Sequence, residues 1–81
     1  MKISLTAGAK KQLRALPLAL QKKTRKQFIF LLSDIRHPSL DIKKYQGQDN
    51  LWQGRIDKGY RLYFHIVDPN YIVISIINHP T

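Results

Sequence analysis

Arg55, Arg61 and His79 are the side chains of this sequence best suited to chemistry. A guanidinium presents a rigid fork of donors that matches phosphate oxygens, and an imidazole titrates near neutral pH. Together they suit the cleavage of RNA by its own 2′-hydroxyl. That reaction needs a base to take the hydroxyl proton, cationic donors to stabilise the phosphorane, and an acid to protonate the leaving oxygen. Arg61 fits the stabilising role and His79 the acid, with Arg55, Lys43 and Lys44 adding to the field. The base stays open among Tyr63, His65 and a lysine.

Other chemistries lack their parts. The histidines are His37, His65 and His79, with no HxH or HxxxH pair and no cysteine, so a metal site is not expected. No serine elbow and no glycine-rich phosphate loop is present. Five scattered aspartates and no glutamate make a two-carboxylate glycosidase unpromising. No cofactor is expected.

These side chains must be positioned by the stretch Leu51 to His79, LWQGRIDKGYRLYFHIVDPNYIVISIINH. Three runs rich in β-branched and aromatic residues are divided by Asp57-Lys58-Gly59 and Asp68-Pro69-Asn70, which predicts an antiparallel meander. With three-residue loops, and Gly59 and Asn70 in the left-handed conformation, Ile56 lies opposite Tyr60 and Val67 opposite Tyr71. Trp52, Ile56, Tyr60, Leu62, Phe64, Ile66, Ile72, Ile74 and Ile76 then share an apolar face. Gln53, Arg55, Arg61, Tyr63, His65, Ser75 and His79 share the other. Arg55 falls directly across from Arg61, a pairing of like charges that is unfavourable unless an anion sits between them. His79 falls on the diagonal from Arg61, about 7–8 Å away. Asp57, at the edge, is the one acid expected near this face. A polar outer face is also what an antiparallel sheet commonly shows to water.

The rest of the chain must cover the apolar face. Lys2 to Leu5 reads as an edge strand. Thr6 is placed to cap a helix from about Ala7 to Leu16, closed by Pro17. A longer helix, roughly Leu18 to Ile35, carries Leu20, Thr24, Phe28, Leu31, Leu32 and Ile35 as its core stripe. Ile29 and Phe30 either complete the core or form an exposed apolar strip that a partner covers. His37-Pro38 ends this helix, with His37 read as a helix-end residue. Ile42 to Tyr45 is a short strand or extended loop. No repeat, linker or low-complexity segment divides the 81 residues, so one domain is expected over 1–81.

Charge is the strongest global signal: fourteen Lys and Arg against five Asp give a net +9. Such a balance attracts polyanions, nucleic acid or an acidic protein partner, with affinity that falls as salt rises. Lys22, Lys23, Arg25 and Lys26 cluster on the first half of the long helix. Individually they read as a solvated face, and together as a basic surface available to RNA. Lys43, Lys44, Gln53, Tyr63 and His65 complete the expected RNA-contacting set. MKISLTAG holds no apolar run of signal-peptide length and no stretch approaches a membrane span, so a cytoplasmic protein without membrane contact is expected.

The order strand, helix ending in LxALP, basic helix, HP, KKYQG, LWQGRIDKGYRLYF and IVISIINH resembles the RelE/ParE superfamily of type II toxin–antitoxin toxins over nearly the whole chain. The resemblance implies an α+β fold, with an N-terminal strand and two helices on one face of a four-stranded, mainly antiparallel sheet. It also implies a cognate antitoxin that wraps the toxin. RelE-like members cut mRNA in the ribosomal A site with basic residues on the concave sheet face. Arg61 matches their phosphate-stabilising arginine, Arg55 falls near a basic position of the preceding strand, and His79 matches a terminal-strand His or Arg that acts as acid. Lys43 and Lys44 look like the basic pair before the central hairpin. Only Pro80 and Thr81 follow His79, whereas many RelE-like nucleases carry a further catalytic Tyr or Arg there. A lysine before the hairpin is replaced by Gln53 or Gly54. ParE-like members poison gyrase on this fold without the nuclease residues, so the resemblance also admits a gyrase inhibitor or an inactive member.

Overall fold

The computed structural model describes residues 1–79. Strand β1 (Lys2–Leu5) is followed by helices α1 (Ala7–Ala15) and α2 (Leu18–Ser33) and a 3-10 turn at Pro38–Leu40. Strands β2 (Lys43–Lys44), β3 (Trp52–Arg55), β4 (Tyr60–Val67) and β5 (Asn70–Asn78) complete the order. They form one five-stranded sheet ordered β1-β5-β4-β3-β2, antiparallel except for β1 beside β5. The fold class is the expected one. The strand count rises from four to five because Lys43–Lys44 pairs with Trp52 and Gln53.

Local chemistry sets the helix ends. Thr6 accepts from the Ala9 N–H at 3.2 Å, taking up a donor that the first turn of α1 cannot satisfy. Pro17 separates α1 from α2, since proline cannot continue a helical hydrogen-bond ladder. The long helix stops at Ser33; Thr24 and Leu31 of the expected stripe are buried and Leu20, Phe28 and Ile35 pack against the core, while Gln27 joins the buried residues and Leu32 leaves them. Leu32 is 47% exposed. Gln27 takes the inner position because its amide donates to Ser39 O (3.1 Å) and Arg55 O (2.7 Å), joining α2 to two loops. A buried amide with both bonds made costs little, whereas an unpaired one is expensive.

The first hairpin has the expected register, with Arg55 opposite Arg61 and Gln53 opposite Tyr63. Its turn works differently. Gly59 is not left-handed; the Asp57 carboxylate accepts from the N–H groups of Gly59 and Tyr60, both at 2.9 Å. The second hairpin departs from expectation. Asn70 pairs with Val67, so only Asp68 and the cis-bonded Pro69 connect the strands. The loop is one residue shorter than expected, which reverses the facing of β5 next to the turn. Tyr71 and Val73 are therefore buried, and Ile72 and Ile74 leave the apolar set. A bulge opposite Tyr63 and Phe64 then restores the expected register, and Ile76 points inward again.

The core contains Ala9, Leu16, Leu31, Ile56, Leu62, Phe64, Tyr71, Val73 and Ile76. Phe64 is fully buried and meets Tyr71 edge to face at 5.7 Å. Phe64→Ala is expected to cost about 3–5 kcal/mol, most of the stability of a domain this small. A chemical-denaturation midpoint close to that of the parent chain would contradict this placement of the core.

Candidate functional site

Because the helices cover only one face of the sheet, the other carries successive cross-strand rows. Lys43, Gln53, Tyr63 and Ser75 lie side by side across β2, β3, β4 and β5. The next row is Arg55, Arg61 and Ile77. One pleat further, the His79 N–H donates to Gly59 O at 2.6 Å, carrying the ladder past the end of β5. Alternation therefore puts His79 on the side of Arg61 and Ile77. The pleat brings Arg55, Arg61, His79, Lys43, Gln53, Tyr63 and His65 to one face. Lys44 pairs with Trp52 and alternates to the opposite side.

Individual contacts refine this picture. The Arg61 guanidinium is tied through Nη1 to the carbonyls of Asp57 (2.6 Å), Tyr60 (3.0 Å) and, more weakly, Lys58 (3.5 Å). Its other nitrogens have no protein partner among the described residues. The turn thus anchors one side of the guanidinium and leaves Nε and Nη2 to an incoming anion. Arg55 Nη2 lies 3.2 Å from the Asp41 carboxylate, and Lys43 Nζ lies 3.5 Å from the same oxygen. Asp41, a left-handed residue at φ 44°, is the acid at this rim. It replaces Asp57, which turns to α2 and pairs with Lys23 at 3.6 Å. Tyr63 donates to Gln53 Oε1 at 3.2 Å, and His65 Nδ1 lies 2.7 Å from Asn50 O. His65 is thereby held by a loop.

Gly54 resolves which β3 position faces the site. A Cβ there would meet Ile42 Cδ1 at 3.2 Å and Leu62 Cγ at 3.3 Å, so position 54 is packed inward and Gln53 stands on the free face.

Lys23 and Lys26 lie elsewhere, bordering a cleft of about 490 Å³ with Gln27, Phe30, His37, Arg55 and Asp57. Lys22 is exposed on the same helix. Here Phe30 stacks on His37, with centroids 3.7 Å apart, and Lys26 Nζ sits 5.9 Å from the Phe30 ring. Phe30 thus closes against the loop, while Ile29 is 64% exposed and Leu18 also faces water.

Partial burial pushes the Asp57 carboxyl up. The Gly59 and Tyr60 N–H groups and the nearby Lys23 charge outweigh this and hold it below the ordinary aspartate value. A folded-state pKa below the unfolded one adds stability above the unfolded value, about 3.9, and loses it as pH falls through the folded value. Asp57→Asn is expected to flatten the acid side of the stability–pH curve, read as denaturation midpoints across an acid pH series. An unchanged slope would contradict the assignment.

Among the described residues no group of three or more His, Cys, Asp or Glu is arranged to hold a metal, and no helix is long and apolar enough to cross a membrane.

Two helices on one face of a mixed sheet ordered β1-β5-β4-β3-β2 make this a RelE-like fold. The chain superimposes on the YoeB/ParE toxin from Agrobacterium tumefaciens with a TM-score of 0.83 at 14% identity, covering 99% of this chain and 100% of that one. It matches a chain of the intact E. coli RelBE toxin–antitoxin complex at TM-score 0.77 and 21% identity, over 98% and 96% of the two chains. For the archaeal RelE–RelB complex from Pyrococcus horikoshii the values are 0.75 and 17%, over 95% and 92%. No protein-family model matches the sequence, and no curated protein matches it significantly.

Proposed function

We propose that this chain is the toxin of a type II toxin–antitoxin module and that it inhibits translation by cutting mRNA on the ribosome. The observation that carries the reading is the row Arg55–Arg61 with His79 one pleat beyond, on the face that the helices leave open. The likeness to toxins solved with their antitoxins supports the module.

In the proposed reaction a base takes the proton of the 2′-hydroxyl, and that oxygen attacks the adjacent phosphorus. Arg61, anchored by its turn, and Arg55, released from Asp41, hold the phosphorane oxygens. His79 in its protonated form gives its proton to the departing 5′-oxygen. The products are a 2′,3′-cyclic phosphate and a 5′-hydroxyl, with no metal in the scheme. Lys43, Gln53, Tyr63 and His65 line the path of the RNA over the same face, and Lys44 adds charge at its edge. Lys22, Lys23 and Lys26 form a basic surface on the helix side, adjoining Arg55, for ribosomal RNA or the antitoxin.

The antitoxin is expected to be acidic and to cover the basic face or the exposed Ile29 strip. Co-purification with the product of a neighbouring small reading frame checks this. Primer extension on cellular mRNA after induction tests the nuclease reading. Codon-spaced cuts are the expected result. Intact mRNA together with blocked gyrase would replace this reading with the gyrase-inhibiting one, and intact mRNA with normal gyrase would leave an inactive antitoxin- or RNA-binding member.

A further inference from the structure

The open face is not uniformly polar. The reversal and bulge in β5 bring Ile74 out of the core, and Ile77 follows Ile76 onto the outer side, where it is 40% exposed. Ile74 and Ile77 line a shallow cleft of about 270 Å³ with Tyr45, Leu51, Tyr63 and Ser75. Tyr45 forms one wall. Its N–H donates to Leu51 O beyond the end of β2, its ring meets Tyr63 edge to face at 5.9 Å, and 44% of the residue remains exposed. The alternation of a two-residue strand puts Tyr45 on the side of Lys43.

The cleft is flanked by two cations. Ile77 lies directly across from Arg61, which is two residues along β4 from Tyr63, and Lys43 lies beyond Gln53 in the Tyr63 row. An apolar, aromatic-walled hollow bordered by the Arg61 guanidinium and the Lys43 ammonium suits a ligand that is flat and apolar on its faces and anionic along its edge. A nucleotide of single-stranded nucleic acid has that form, since its base stacks on aromatic side chains while the backbone follows the charge. An apolar peptide side chain would fill the hollow but would leave Arg61 without an anion.

We propose that the Tyr45–Tyr63–Ile74–Ile77 cleft is a nucleobase subsite, with Tyr45 as its stacking wall, that seats the base next to the phosphate held at Arg61. The proposal rests on the nuclease reading for its substrate and adds the element that grips a base. The protein should then favour RNA with bases over a sugar–phosphate chain of equal charge.

The test compares binding of a short 2′-O-methyl oligoadenylate with that of an abasic 2′-O-methyl oligomer of the same length, at one salt concentration. The oligoadenylate is expected to bind about tenfold or more tightly. Tyr45→Ala should erase that preference while leaving abasic affinity unchanged, and Tyr45→Phe should keep it. Equal affinity for the two oligomers, or a full preference surviving in Tyr45→Ala, would overturn the subsite. The 2′-O-methyl groups block cleavage, so binding is read whether or not the chain cuts RNA. Absence of cellular cuts with the preference intact would remove the nuclease reading alone.

Discussion

Arg61→Ala is expected to slow RNA cleavage about 10²–10³-fold, the usual loss when one preorganised donor to a developing oxyanion is removed. Growth arrest on expression of the variant alone should disappear with it. The geometry makes this more than a charge effect. Nη1 is fixed by the carbonyls of Asp57 and Tyr60, so the rest of the guanidinium is oriented before substrate arrives. Lysine offers a point charge without the fork, so Arg61→Lys should recover only part of the rate. Because the same bonds brace the hairpin, circular dichroism and a denaturation midpoint must accompany the kinetics. Undiminished toxicity in a folded Arg61→Ala variant would favour the gyrase route.

His79→Ala is the second large effect, about 10²–10⁴-fold in cleavage rate, typical of losing a general acid. Its side chain is exposed and its N–H closes the ladder at Gly59, so the substitution should leave the fold and ribosome binding nearly unchanged. Loss of ribosome binding instead would assign His79 a positioning role.

The first hairpin was legible in the sequence because its apolar residues admit one register. Pairing Ile56 with Tyr60 sorts every following side chain, and the Arg55–Arg61 row follows. Asp68-Pro69-Asn70 fits a two-residue or a three-residue loop, and with Tyr71 to Ile77 nearly all apolar no face alternation decides between them. The bulge that makes Ile74 available to the open face was hidden for the same reason. Gln27 was missed as a core residue because a polar side chain becomes acceptable inside only when Ser39 O and Arg55 O both reach it, contacts 12 and 28 residues away. Asp41 as the rim acid depends on a left-handed residue after the 3-10 turn, at a position where glycine or asparagine would be the usual signal.

The separation of Lys44 from Lys43 was available from strand alternation, but only once the segment was known to pair with β3. Lys23 and Lys26 join a helix-side cleft through tertiary packing that helical spacing alone does not specify.

The most direct measurement adds the purified chain to ribosomes programmed with a defined A-site codon and examines the ends of the mRNA fragments. Cleavage within that codon, leaving a 2′,3′-cyclic phosphate and a 5′-hydroxyl and lost in Arg61→Ala, is the predicted result. Intact message, or fragments bearing a 3′-hydroxyl and a 5′-phosphate, would contradict it.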